Sequence, residues 1–492
     1  MSLPFDEVRY ASLMSRLEAS EVKLSECLKI IDFRIDANTY KKDYIKTDNL
    51  ISSMPHKPVK DCITKIQNFG AYSLCNNIVF CDSGYHFLMT QNVRHNFIDW
   101  SDMRYVDNGS HALLHKSHCS KNQVLVTMAG EYLGRVAVYN KDFISSSNQA
   151  IAKLTISKGF EPYYISTFLN TKYGQNQINR LKTITGQPNI NMGLISELKI
   201  VILSDEFQKI VKDIVLGSYD LTNNSNHHHQ TAQNILLTEL GLADYRPPQT
   251  SVSVKTFSES FGSIGRLDAE YYQPKYDEIE SKISAFKKIK IKNLVNYPVS
   301  SGITPKAGGN DYTVKEFGIP FVRAVDIIKD RVEIENCNYI KNKIHSGILK
   351  RTQLKQDDVL FSIAGTVGRC GIFDCTIEAN INQAVSILRF DEAVIKRLYL
   401  ICYFNSCIGE LYISKYARQG LQTNLNLDEV SNLEVPILDM ELQKQISEKI
   451  QQSFNLRKKS VTLLERAKQA VEMAIEQGEA VAIKWLEEKE NE

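Results

Sequence analysis

The sequence predicts an α+β chain in which two related α/β units are each followed by a long helix. Three observations predict it. The chain repeats itself at a nearly constant offset, each repeat mixes short β-rich runs with helical stretches, and each ends in a long helix-forming segment.

The repeat comes first. Phe33-Arg34-Ile35-Asp36-Ala37 returns as Gly265-Arg266-Leu267-Asp268-Ala269, an offset of 232. Phe87 with Asn92-Val93 returns as Phe321 with Asp326-Ile327. Met128-Ala129-Gly130 through Gly134-Arg135 returns as Ile363-Ala364-Gly365 through Gly368-Arg369. Ser147-Asn148-Gln149-Ala150 returns as Ile381-Asn382-Gln383-Ala384, and Phe168-Leu169-Asn170 as Tyr403-Phe404-Asn405. Gly186-Gln187-Pro188-Asn189-Ile190-Asn191 returns as Gly420-Leu421-Gln422-Thr423-Asn424-Leu425-Asn426. The offset stays between 232 and 235 throughout. Coincidences do not keep one register, and a repeat this long is a duplicated domain rather than a solenoid unit.

Each copy opens on a polar, helix-like stretch, 38–53 or 270–286. Strand-like runs follow: Asn77-Ile78-Val79-Phe80, Val124-Leu125-Val126-Thr127 and Val136-Ala137-Val138-Tyr139, with partners such as Val359-Leu360-Phe361-Ser362. One helix is expected around 161–181 and its counterpart around 396–417, and then a short strand, Leu198–Leu203 or Leu433–Leu438. The second long helix runs from Glu441 to Gln477 without proline or glycine. Its apolar residues Ile450, Phe454, Val461, Leu464, Val471 and Ile475 form a seam for one partner helix. The first runs from Asp205 to Leu240 and stops at Gly241, a C′ position. Its middle, Asn223–His229, is too polar for a seam and reads either as a break or as exposed helix. Pro247-Pro248 marks the boundary between halves.

The bulk properties fit an ordinary globular protein: 492 residues, 43% hydrophobic, 24% charged, net charge +2. With so little net charge, any nucleic-acid binding must use positive charge gathered on one face. Ten cysteines are scattered with no CxxC pair, as expected of reduced thiols in a cytosolic protein. No signal peptide and no apolar run of about 18 residues is present, so neither secretion nor membrane spanning is expected.

Marks of DNA chemistry are missing. The only Pro-Pro follows Arg246 and precedes Gln249, so the Asn/Asp-Pro-Pro-Tyr/Phe loop of adenine methyltransferases is absent. Gly130-x3-Gly134 and Gly365-x2-Gly368 are neither a Rossmann nor a P-loop pattern. Glu280-Ser281-Lys282 lacks the upstream Asp of a metal nuclease. Consecutive His227-His228-His229 on a helix point about 100° apart and do not converge on one ion. No catalytic and no metal residue is expected.

What remains suits DNA reading. Asn and Gln pair with adenine and Arg with guanine in the major groove. The candidates beside the glycine turns are Asn92, Arg94, Arg135, Gln149, Gln187 and Asn189 in the first copy. In the second they are Arg323, Arg369, Gln383, Gln422 and Asn424, and the basic run Lys287, Lys288 and Lys290, continued by Lys292, suits phosphates.

This arrangement resembles the specificity subunit of type I restriction–modification systems. The residues that carry the resemblance are Ala364-Gly365-Thr366-Val367-Gly368-Arg369, Asn382-Gln383-Ala384, the Gly-x-Gln-x-Asn-x-Asn of 420–426, and Glu239-Leu240-Gly241-Leu242-Ala243-Asp244-Tyr245. The first copy departs from them, with one extra residue between Gly130 and Gly134 and Pro188 after Gln187. The resemblance implies two target recognition domains, 1–203 and 251–438. The first long helix with its linker takes 204–250, and the second with an acidic tail takes 439–492. It implies an antiparallel coiled coil of the two helices. It also implies a non-catalytic, cytoplasmic DNA-recognition subunit with no cofactor of its own. Its expected partners are double-stranded DNA, two methyltransferase subunits that bind S-adenosylmethionine, and a translocase–nuclease subunit. Two other readings stay open: a specificity subunit whose partner fuses methyltransferase and nuclease, and a coiled-coil interaction protein with no DNA role.

Overall fold

The computed structural model describes residues 6–490 apart from 16, 29, 31–32, 71, 184–185, 249–251, 307–308, 329, 336 and 419–422. The chain divides into two compact units. The first joins the chain up to Thr222 with Lys458 onward, and the second is Asn223–Arg457. The division therefore cuts both long helices through their middles rather than at their ends. No helix among the described residues is long and apolar enough to cross a membrane.

Both units are built on one plan. In the first, the buried strand Val124–Thr127 pairs antiparallel with Val136–Val138 and with Ile151–Ile156. In the second, Asp358–Ser362 does the same with Cys370–Phe373 and Val385–Leu388. A second sheet follows in each. Tyr85–Leu88 lies antiparallel to Arg104–Val106 and parallel to Ser146–Ser147. Ile319–Val322 lies antiparallel to Asn338–Ile340 and parallel to Asn380–Ile381. A two-stranded ladder closes each unit: His56–Pro58 with Lys199–Val201, and Lys288–Lys290 with Glu434–Pro436. The duplication read from residues is thus a duplication of connectivity.

The single helix expected at 161–181 is two, Pro162–Asn170 and Lys172–Leu181, and its counterpart is Arg397–Phe404 and Cys407–Tyr416. Thr171 and Ser406 adopt extended backbone, and their hydroxyls accept from the N–H of Gly174 (3.3 Å) and Gly409 (3.1 Å). The second helix then doubles back closely on the first. A Cβ at Gly174 would stand 2.4 Å from Leu169 Cα, and one at Gly409 would stand 2.0 Å from the Tyr403 carbonyl oxygen. Of the strand expected at 77–80, Asn77 ends a 3-10 turn, Tyr72–Asn77, Ile78 and Val79 belong to no regular element, and only Phe80 enters a strand, Phe80–Cys81.

The first long helix, Asp205–Glu239, is continuous, so its polar middle is not a break. Gly241 follows at φ +67°. The second is Met440–Gln477. In the first unit Val211, Val215 and Tyr219 share one core with Leu464, Ala467, Val471, Ala474 and Ile475. The helices run antiparallel there: Gly217 faces Leu463, while Ser204, just before the first helix, donates its N–H to Glu479, just after the second, at 2.9 Å. In the second unit Ala232, Leu236 and Leu240 share a core with Ile446 and Ile450. Each fully buried aliphatic chain contributes roughly 1.5–3 kcal/mol.

Val461 does not belong to the seam. It is 50% exposed, and the neighbouring Ser460 is buried in its place. Ser460 Oγ lies 2.9 Å from Ser218 Oγ and 2.8 Å from Thr222 Oγ1. In the second unit Ser225 Oγ lies 2.9 Å from both the carbonyl and the hydroxyl oxygen of Ser453. In each unit, hydroxyls therefore meet between the two helices beside the apolar contacts.

Candidate nucleic-acid interface

Three motifs that are far apart in sequence meet at one edge of each unit. In the first, the central strand runs on into Met128-Ala129-Gly130. Met128 donates its N–H to the Ala150 carbonyl at 2.7 Å, and its own carbonyl accepts from Ile190 at 2.8 Å. Gly130 donates to the Pro188 carbonyl at 3.1 Å, and Ala129 bridges Asn189. The Met128 N–H thus holds the Asn148–Ala150 segment, while the Met128 carbonyl and the Gly130 N–H hold Gln187–Ile190. The chain then turns back, with Gly130 at φ +84° and Gly134 at φ +86°, conformations that glycine adopts without penalty. Thr127 Oγ1 fastens the turn by accepting from Arg135 N–H at 2.9 Å, and Gln175 Nε2 donates to the Gly134 carbonyl at 2.8 Å.

The second unit repeats this rim. Ile363 donates to the Ala384 carbonyl at 2.8 Å and accepts from Leu425 at 2.9 Å, while Ala364 bridges Asn424. Gly365 and Gly368 have φ +80° and +91°. Ser362 Oγ accepts from Arg369 N–H at 2.9 Å. A short 3-10 turn adjoins each rim: Thr90–Asn92, after the strand whose Leu88 carbonyl accepts from Asn148 at 2.9 Å, and Ala324–Asp326, after the strand whose Val322 carbonyl accepts from Asn382 at 3.0 Å.

Gln149, Gln187, Asn189, Gln383 and Asn424 are exposed on these rims. Arg135 and Arg369 are half-buried at the end of the turn, and the Arg135 guanidinium lies 4.4 Å from the Tyr132 ring centroid. Arg94 is half-buried with its guanidinium 3.5 Å from Asp99. Arg323 forks onto Asp326 through Nε and Nη2, both at 2.9 Å. Gln422 lies outside the described residues.

Asn92 is a correction. It is buried and its amide is spent inside the unit: Oδ1 accepts from Met89 N–H at 2.9 Å, and Nδ2 donates to the carbonyls of Asp99 and Asp102 at 3.2 and 3.1 Å. Its counterpart Asp326 accepts from Arg323 N–H at 2.8 Å in the same way. The signal was in the repeat itself. Exchange of Asn for Asp between copies marks a short acceptor that holds a turn rather than a reader of bases. Near Asp326, burial and then the carboxylate push the Cys337 thiol above the usual range.

The lysine run is not on the rim segments. Lys288–Lys290 forms the ladder with Glu434–Pro436, ahead of the second long helix, and Lys288 Nζ is 2.5 Å from Glu434. Lys287 is exposed, Lys288 mostly so, and Lys290 half-buried. His229 reaches Asp330 at 2.5 Å, and the His227 and His228 rings stand 6.1 Å apart.

Comparison with known proteins gives this rim a context. Residues 283–469 match the family described as the Type I restriction modification DNA specificity domain. The chain is 26% identical over 166 residues to the Type I restriction enzyme EcoBI specificity subunit of Escherichia coli. That match covers 33% of this chain and spans about a third, 34%, of the relative. Among solved structures, the type I S subunit from M. genitalium aligns with 84% of this chain and 94% of its own, at 12% identity and a TM-score of 0.38. The HsdS subunit from Thermoanaerobacter tengcongensis aligns with 86% of this chain and 96% of its own, at 13% identity and a TM-score of 0.28.

The chain is thus similar over residues 283–469 to the DNA specificity domain of type I restriction–modification proteins. The first unit carries the same strand connectivity as the second, within which most of that match falls.

Proposed function

We propose that this chain is the DNA sequence-recognition subunit of a type I restriction–modification complex, and that each unit reads one half of a bipartite, asymmetric site. One observation carries the reading. The same three segments are tied together by the same backbone hydrogen bonds in both units, and each rim exposes amide side chains suited to base edges.

In this reading the chain performs no chemistry. Two methyltransferase subunits dock on the paired long helices and bring S-adenosylmethionine, a translocase–nuclease subunit joins for restriction, and the complex works in the cytoplasm. The test is selection of the full chain on randomised duplex DNA. Two short fixed blocks separated by a gap of constant length and random sequence are expected. Selection of no sequence, or of a single block, overturns the reading.

A further inference from the structure

The rims share much of their chemistry. Gln149 returns as Gln383, Asn189 as Asn424, and Arg135 as Arg369. Side chains common to both copies cannot supply a difference between the sequences that the copies read. A discriminating side chain must be exposed, must stand on rigid backbone beside the rim, and must differ between the units.

The middle residue of the 3-10 turn meets all three requirements. Each turn is pinned from inside, by the buried amide of Asn92 or the buried carboxylate of Asp326, so its outward residue is held in place. Each adjoins the rim, and in the second unit Thr366 Oγ1 of the glycine turn lies 3.3 Å from the Ala324 carbonyl. The outward residue is Gln91 in the first unit, exposed, and Val325 in the second, 58% exposed. A lone exposed valine is common on protein surfaces. This one stands at the same turn position as a glutamine of the other copy.

Building on the DNA-recognition reading above, we propose that Gln91 and Val325 are specificity-determining residues. Gln91 forms the bidentate pair with adenine in one half-site. Val325 packs against the 5-methyl group of thymine in the other. The shared amides and arginines then serve both halves alike.

The test is duplex selection with the full chain carrying Gln91→Val or, separately, Val325→Gln. Gln91→Val is expected to relax an adenine preference at one position by about tenfold to a hundredfold. Val325→Gln is expected to change one position of the other block. Circular dichroism checks that each variant is folded, and either variant suffices if the other is not. If the wild-type chain selects two blocks and a folded variant selects the same two, the assignment of these residues fails while the recognition reading stands. Changes by both variants in the same block also overturn it. If the wild-type chain selects nothing, the recognition reading itself has failed.

Discussion

Asn96 and Asp330 hold the same place in the two repeats, and each is bent into the left-handed region, at φ 64° and 75°. Asn and Asp are the non-glycine residues that tolerate this best. Each is met by the asparagine that ends the first helix of the doubled pair. Asn170 Nδ2 donates to Asn96 Oδ1 at 2.9 Å, and Asn405 Nδ2 to Asp330 Oδ1 at 2.6 Å. The first unit completes the site with a neutral donor, Ser166 Oγ, at 2.8 Å. The second places a carboxylate there and sets His229, from the first long helix, against it at 2.5 Å.

His229→Ala should therefore destabilise the second unit, because it leaves a nearly buried carboxylate short of a partner. The expected cost is about 1–3 kcal/mol, below the usual range for breaking a buried pair because His229 is partly exposed. Adding Asp330→Asn should restore most of the loss, since the first unit holds an uncharged Asn96 at the same place with Ser166 and Asn170 as its partners. Calorimetric unfolding of the single and double variants checks this. Additive losses would show that the pair is not coupled.

Lys153 gives a pH signature to the first unit. It is fully buried on the strand Ile151–Ile156, where the second unit has Ile387. Its Nζ donates to Ser147 Oγ at 3.1 Å, and burial pushes its pKa down to about 8, against the opposing pull of Cys119. A lysine whose folded value is depressed penalises the fold below that value, where both states are protonated. The penalty fades as pH rises from about 8 toward the ordinary lysine value near 10.4. Lys153→Met should stabilise the protein at pH 7 by on the order of 3 kcal/mol. That advantage over the wild type should shrink between about pH 8 and pH 10. An advantage that is flat across this window would refute the buried-amine account.

Asn92→Ala should unfold the turn rather than remove a DNA contact. It leaves one N–H and two carbonyls without their partner, at a cost of about 2–3 kcal/mol. Gln187→Ala, on the exposed rim, should leave the melting temperature nearly unchanged. If Asn92→Ala kept the melting temperature and lost only DNA binding, Asn92 would return to the interface.

These contrasts mark what the residues alone make legible. The duplication is visible because framework residues keep one register, and the three rim motifs stand out in the sequence as separate segments. Their union depends on strand pairing between residues far apart, which no local pattern encodes. The break at Thr171 and Ser406 was missed because the apolar pattern runs through it. The backbone turns there on a hydroxyl cap and a glycine contact. Val461 was placed in the seam by heptad spacing, yet burial went to Ser460, whose hydroxyl finds Ser218 and Thr222. Apolar periodicity cannot register a seam closed by hydrogen bonds.

The long helices carry the last prediction. The first has 35 residues, which at 1.5 Å each is about 52 Å, more than one DNA turn of about 34 Å. In the proposed reading this length sets the gap between the half-sites. Inserting four residues near Asn223 adds about 6 Å. The preferred gap should then grow by about one to two base pairs at ~3.4 Å each. Both blocks should keep their sequences, because the insert changes no rim residue. The insert falls close to the hydroxyl contacts of Ser218 and Ser225, so circular dichroism must first show that helix content is kept. A folded variant that selects the original gap would mean that the helices do not measure distance. Their length would then serve for docking partners alone.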